Sequence, residues 1–252
     1  MKNVRALIVF LAAGFLATPA LADEPCPCAE KKGPPPAFTG NAGFGLGITS
    51  GNTDSTNLNF SLGLKYDPKT KNVVTFDGYY LYGRTDGVTN TQKANFGLRD
   101  EYSFTERFFG YGSVGYLYDR FKGITYLITP TVGAGYKVVK TKAVTLALFG
   151  GVGIAFEKDG GIPGTTSGSF SGGESLEWKI SSFATLSQHA LGIWKMNDTS
   201  DYFFHFDVGI VSPLSSVFDL KLAYILDYQN EPYPPTLDKT DTALLVAIAA
   251  KF

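Results

Sequence analysis

From Phe38 onward, apolar and polar residues alternate with a period of two. In residues 58–66, LNFSLGLKY, one face carries Leu58, Phe60, Leu62, Leu64 and Tyr66, and the other carries Asn59, Ser61, Gly63 and Lys65. Successive side chains of a β-strand point to opposite sides, so the pattern predicts a strand with one apolar and one polar face. It returns in NVVTFDGYYLY, where Val74, Phe76, Tyr80 and Tyr82 oppose Thr75 and Asp77, and again in YLITPTVGAGYKV, AVTLALFGGVGIAF, DYFFHFDVGIV and VFDLKLAYILDY. About twelve such segments follow one another, most near the roughly 9–11 residues that a tilted strand needs to cross a bilayer. Clusters of Gly, Asn, Asp, Ser and Pro separate them as turns. Two connections are longer, EKDGGIPGTTSGS from 157 and QNEPYPPTLDKTD from 229, and both are expected at the same end.

Two segments break the pattern. In KANFGLRDEYSF the face with Phe96, Leu98 and Tyr102 also holds Asp100, so Asp100 sits low on the wall or a bulge turns it inward. In ATLSQHALGIWKM the face with Leu186 and Trp194 includes Gln188, which leaves the register of residues 184–196 open.

Alternation by itself also fits a soluble barrel or sandwich whose apolar face points inward. Three features favour lipid. The polar faces mix Gly, Ser, Thr and Asn with scattered charges, as a confined lumen would. Aromatic residues gather at strand ends in two groups, such as Tyr66, Tyr102 and Phe108, and Tyr80, Tyr118 and Tyr228. The total apolar face exceeds what one soluble core of this length requires. The expected fold is therefore all-β: an antiparallel up-and-down transmembrane β-barrel of about twelve strands over residues 38–252. The last segment, TALLVAIAAKF, would read as a helix from its alanines alone. Among the other strands it reads as the closing strand, pairing with the first so that no edge meets lipid. Its alternate apolar residues Val246 and Ile248, with Phe252 last, resemble the terminal signal read by outer-membrane assembly machinery.

The N-terminus adds export. Lys2 and Arg5 precede an apolar run ending at Leu16, and small residues stand at Ala20 and Ala22, so residues 1–22 are read as a signal peptide cleaved before Asp23. Residues 23–37 form a Cys/Pro-rich periplasmic leader. Its Cys26 and Cys28 offer a disulfide, a metal pair or no chemistry at all, the last being favoured. The outer membrane is the expected location, with lipid and lipopolysaccharide as surroundings, and the oligomeric state is open. With 22 Lys and Arg against 23 Asp and Glu, no bulk charge favours nucleic acid as a partner.

Chemistry is sparse. The expected lumen-lining residues are Lys65, Asp77, Arg99, Glu101, Lys137, His205, Asp207, Asp219 and Lys221, all on polar faces. Only His189 and His205 titrate near neutrality, and LSQHALG lacks the Ser-Asn that follows the histidine of outer-membrane lipid hydrolases. His205 and Asp207 stand about 7 Å apart along one strand face, a possible dyad but more simply a satisfied lumenal pair. No catalytic, cofactor or metal site is therefore assigned, and no enzyme is expected. An eight-stranded barrel is filled by side chains and one of sixteen holds water, so about twelve strands leave a salt-bridged interior and a narrow pore both open.

Two stretches carry a resemblance: TSGNTDSTNLNFSLGLKY, with its Gly51, Asn52, Thr53 and Asp54, and ERFFGYGSVGYLYDRFKGITYLITPTVGAGYKV, with Asp119, Arg120, Phe121 and the run from Gly133 to Tyr136. They resemble the salt-induced outer-membrane protein family of Gram-negative bacteria, a domain family of unknown function. The resemblance implies an outer-membrane barrel with a structural or envelope-stress role and limited small-solute passage. A porin-like diffusion or substrate-specific channel is the alternative, and a lipid or lipopolysaccharide hydrolase is less favoured. The family has no established catalytic residues to transfer.

Overall fold

Twelve antiparallel strands close into one barrel in the computed structural model, which describes residues 37–50, 55–85 and 88–252. The expected signal peptide, Cys26, Cys28 and the Gly51 to Asp54 stretch lie outside the described residues. The strands are β1 Phe38–Ser50, β2 Ser55–Tyr66, β3 Asn72–Thr85, β4 Val88–Ser103, β5 Phe108–Asp119 and β6 Ile124–Lys140. They continue as β7 Val144–Asp159, β8 Thr165–Ser181, β9 Ala184–Lys195, β10 Tyr202–Pro213, β11 Phe218–Gln229 and β12 Thr240–Lys251. Each pairs with its neighbours in sequence, and β1 pairs with β12 to complete the ring. The expected fold class, strand number and closing strand all hold.

Parity explains how the sequence builds this wall. Through the bodies of the strands, odd-numbered residues pair with odd-numbered ones, as in Asp77 with Gly97, Gly97 with Gly115 and Gly115 with Thr129. Register shifts occur only towards strand ends, for instance between Gly83 and Arg84 and between Lys137 and Val139. Odd positions therefore face the lumen and even positions face out. On β12, Ala249 is 0% exposed while Ile248 beside it is 55% exposed. Phe44, Leu46, Phe60, Leu98, Val132, Val152 and Leu222 join Ile248 on the outer face. Contiguous apolar surface of this extent is not left to water, and a closed barrel leaves no unpaired strand edge in hydrocarbon.

The anomalies of the pattern resolve without bulges. Asp100 keeps its outward parity, three residues from the end of β4, and accepts a hydrogen bond from Asn72 Nδ2 at 2.8 Å. Gln188 also faces outward, and its Nε2 donates to Glu174 Oε1 on β8 at 2.7 Å. The register of β9 follows, with Ser187, His189, Leu191 and Ile193 inward.

One expectation needs correction. The stretch from Glu157 is mostly strand rather than a long connection: only residues 160–164 separate β7 from β8. Alternation persists across it, because Glu157, Asp159, Ser167 and Ser169 are buried on the inner face while Gly161 takes the turn at φ +89°. The second expected long connection, residues 230–239, is a loop. It shares one end of the barrel with residues 120–123, 160–164 and 196–201, while the turns 67–71, 104–107, 141–143, 182–183 and 214–217 form the other.

Candidate functional site

At the loop end, inward side chains meet across the lumen. Lys93 of β4 donates from Nζ to Asp227 Oδ2 of β11 at 2.5 Å and lies 3.3 Å from Asp119 Oδ2 of β5. Passing through β3, β2, β1 and β12, β4 and β11 stand nearly opposite each other, so this contact ties two walls rather than two neighbours. Lys93 and Asp227 side chains are 10% and 2% exposed. Such burial of charge is tolerable only because each group is paired and hydrogen-bonded. Leu81, Ile225, Ala243 and Leu245 pack together beside the junction.

The 120–123 turn and the 230–239 loop pack beside it. Asp119 Oδ1 accepts the backbone N–H groups of Phe121 and Lys122, turning the chain inward. Lys122 then reaches Asp241 at 3.3 Å with only 1% of its side chain exposed. Gly123 has φ +78°, and a Cβ there would come within 2.6 Å of the Tyr233 carbonyl oxygen, so the 230–239 loop can close over the turn only because this residue is glycine. A second junction stands nearby, where Lys195 meets Glu157 and, at 2.6 Å, Asp201.

Below the junction lies a cavity of about 630 Å³. His189, His205, Asp207 and Asp77 line it together with Ser171, Ser187, Tyr79 and Tyr111. Register assembles the polar cluster: Asp207 of β10 pairs directly with His189 of β9, and His205 of β10 pairs directly with Asp227 of β11. His205 Nδ1 lies 2.6 Å from Asp227 Oδ1, and its Nε2 lies 3.3 Å from Asp207 Oδ1. His189 Nδ1 is 3.7 Å from the same Asp207 oxygen, and its ring stacks on Phe149 at 5.7 Å. Among the described residues, no serine hydroxyl hydrogen-bonds to either histidine.

Towards the turn end the lumen divides. On the β4–β7 side Arg99 lies 3.8 Å from the Tyr111 ring centroid and 4.7 Å from that of Phe149, over a packed cluster of Phe109, Tyr111, Ala147 and Phe149. Glu101 holds both Arg99, at 3.8 Å, and Lys137, at 3.0 Å. Inward residues elsewhere at this end, including Lys65, Glu177, Lys179 and Ser187, are exposed. Asp219 pairs with Lys251 at 2.7 Å, and Lys221 donates to Asn41 Oδ1 across the β1–β12–β11 seam. Among the described residues, ion pairs thus cross the lumen at the loop end, while several inward residues at the turn end are exposed.

The structure places Lys65, Asp77, Arg99, Glu101, Lys137, His205, Asp207, Asp219 and Lys221 on the odd-numbered, inward face, but it does not gather them into one site. Asp77, His205 and Asp207 share the cavity. Glu101 and Lys137 belong to the aromatic side of the turn end, and Arg99 reaches from there into the cavity wall. The sequence reading did not single out Lys93, Asp119 and Asp227 as a gate or His189 as a partner of Asp207. Inward parity was the available signal for all four; their pairing required the register and the closed ring.

A sequence model of a family described as "protein of unknown function, DUF481" matches residues 42–252. No curated protein matches the sequence. Among solved structures, the NanC porin is similar with a TM-score of 0.57 and 9% identity, covering 84% of this chain and 100% of that one. An outer membrane channel from Pseudomonas putida F1 is similar with a TM-score of 0.51 and 13% identity, covering 91% and 100%. The translocator domain of the autotransporter NalP from Neisseria meningitidis has a TM-score of 0.50 and 11% identity, covering 88% and 90%. At such identities the likeness is one of fold, that of a membrane β-barrel.

Proposed function

We propose a restricted channel function for this chain, which belongs to the DUF481 family. It acts as an outer-membrane barrel whose chamber admits small polar solutes from the periplasm and whose outer end is stoppered by ion pairs. The observation that carries this reading is the Lys93–Asp227 contact across the lumen, directly above the cavity. Short turns face the periplasm and longer loops face outward in barrels of this kind, which puts the stopper at the cell surface. The expected signal peptide and terminal Phe252 support delivery to the outer membrane through the barrel assembly machinery. An envelope-stress role rests on the family resemblance.

Porin-like free diffusion is the second reading, favoured by the likeness to the NanC porin and the Pseudomonas channel. Planar-bilayer conductance of the refolded protein separates the two. Under the proposal the wild type conducts rarely and in small steps, while Lys93→Ala raises conductance several-fold. Large steady steps in the wild type, or no change in Lys93→Ala, would overturn it.

A further inference from the structure

The lumenal cluster poses a problem of hydrogen atoms. His205 Nδ1 lies 2.6 Å from Asp227 Oδ1 and Nε2 lies 3.3 Å from Asp207 Oδ1. In the neutral tautomer that keeps the proton on Nδ1 for Asp227, Nε2 presents a lone pair to the Asp207 carboxylate. His189 Nδ1 approaches the same oxygen at 3.7 Å. In that tautomer the converging acceptors require a positive charge between them, which either a second proton on His205 or a bound cation supplies. Asp77, from the wall nearly opposite β10, lines the same cavity and interacts electrostatically with both Asp207 and His205. Lys93 is already shared between Asp119 and Asp227, and among the described residues neither Asp207 nor Asp77 forms a salt bridge with lysine or arginine.

We propose that His189, His205 and Asp207 bind one divalent transition-metal cation in the barrel lumen, with Asp77 supplying charge from the facing wall. One ligand atom from each of the three lies within 4.8 Å of the others. Tetrahedral coordination at about 2.0–2.2 Å needs donors separated by roughly 3.3–3.5 Å. The His205–Asp207 separation of 3.3 Å fits, the His189–Asp207 separation of 3.7 Å is slightly long, and the two histidines, within 4.8 Å, must draw together around the ion. Two imidazoles and one carboxylate select zinc, nickel or copper over magnesium and calcium, which prefer all-oxygen sites. Asp227 is a positioning residue. Its carboxylate holds the Nδ1–H of His205 and presents Nε2 to the cavity, the carboxylate–histidine–metal arrangement in which the outer partner fixes tautomer and ring orientation. Phe149, stacked on His189, fixes the other imidazole. The inference needs the barrel and its cavity but not solute passage.

Binding is measured on the refolded full chain in detergent with Cys26 and Cys28 both replaced by serine, so that no thiol contributes. Zinc titration by calorimetry is expected to give one saturable site, and cobalt to give the visible absorption of a four-coordinate complex without a thiolate band. His189→Ala and Asp207→Asn weaken zinc binding at least 100-fold while heat-modifiable gel migration shows the barrel intact. Asp227→Asn retains one-to-one binding, weakened about 10- to 100-fold, with a shifted cobalt spectrum. Glu101→Gln, in the turn-end cluster, leaves affinity unchanged, and a thousandfold excess of magnesium does not compete. No saturable binding by the folded wild type, or equal affinity in His189→Ala, would sink the proposal and leave a proton-bridged ion-pair network. Conductance is read separately, so a failed channel and an empty cation site give different results.

Discussion

Phe252 is held at the seam of the barrel by contacts that a shorter chain would lack. Its N–H donates to the Gly40 carbonyl at 3.0 Å, and the Gly40 N–H donates back to its carbonyl at 2.8 Å. The ring lies 6.4 Å from that of Phe38, and a Cβ on Gly40 would come 2.5 Å from the Phe252 ring, so a glycine there gives the aromatic its place. Deleting Phe252 therefore removes a pair of ladder bonds and an apolar clasp at the junction between first and last strands. Folded, heat-modifiable protein in the outer-membrane fraction is expected to fall several-fold, more than for any single lumenal substitution such as Lys221→Ala; equal levels of the two would count against it. The outward parity of Phe252 was legible, because the residue continues the alternation of Leu244, Val246 and Ile248. Gly40 was not, since nothing local distinguishes a glycine that accepts a ring from one that only eases curvature. Asp77, His205 and Asp207 were legible as inward residues by parity alone. Their meeting with His189 was not, because it depends on which residue of β9 stands opposite Asp207.

At the scale of the strand, alternation carried most of the information, and it failed where polar residues occupy the outer face. Glu174 and Gln188 stand on the lipid-facing parity of β8 and β9, in line with Phe170, Trp178 and Trp194. The sequence leaves the register of β9 open at Gln188, and the pair stays outward and satisfies itself at 2.7 Å. Removing one partner strands the other in hydrocarbon, whereas removing both exchanges a polar contact for apolar surface. Glu174→Leu with Gln188→Leu is therefore expected to match or exceed the wild type in urea unfolding from lipid bilayers, by up to about 1 kcal/mol, while Glu174→Leu alone falls below the double variant. A double variant clearly less stable than the wild type would indicate that these side chains contact another polar surface instead of lipid. The β7–β8 hairpin shows the opposite failure. Glycine, proline and serine suggested a loop from Glu157, but turn-type composition does not end a strand whose inner face still finds buried partners in Ser167 and Ser169.

At the scale of the whole barrel, closure creates contacts that no single strand encodes. The number of strands follows from counting alternating segments, and their order follows from short turns. The lumen's occupancy depends instead on the radius at which twelve strands close and on which long side chains reach across it. Lys93 is the clearest case: its acidic partners come from the adjacent β5 and from the nearly opposite β11, and all three are buried. Lys93→Met keeps the volume but takes the lysine from Asp119 and leaves Asp227 with His205 as its charged partner, beside the apolar cluster of Leu81, Ile225 and Leu245. Breaking a buried pair by removing one partner typically costs about 3–5 kcal/mol, because the remaining charge stays desolvated. A loss of that size is expected in reversible urea unfolding, and it should shrink when Asp227→Asn is added, since the second change removes the stranded charge. Purely additive losses would mean that the two groups do not act together and that β4 and β11 are not tied through the lumen. Coupling in stability together with a rise in conductance would identify the contact as both staple and stopper. Coupling without a rise would leave the contact a staple and overturn its role as a stopper.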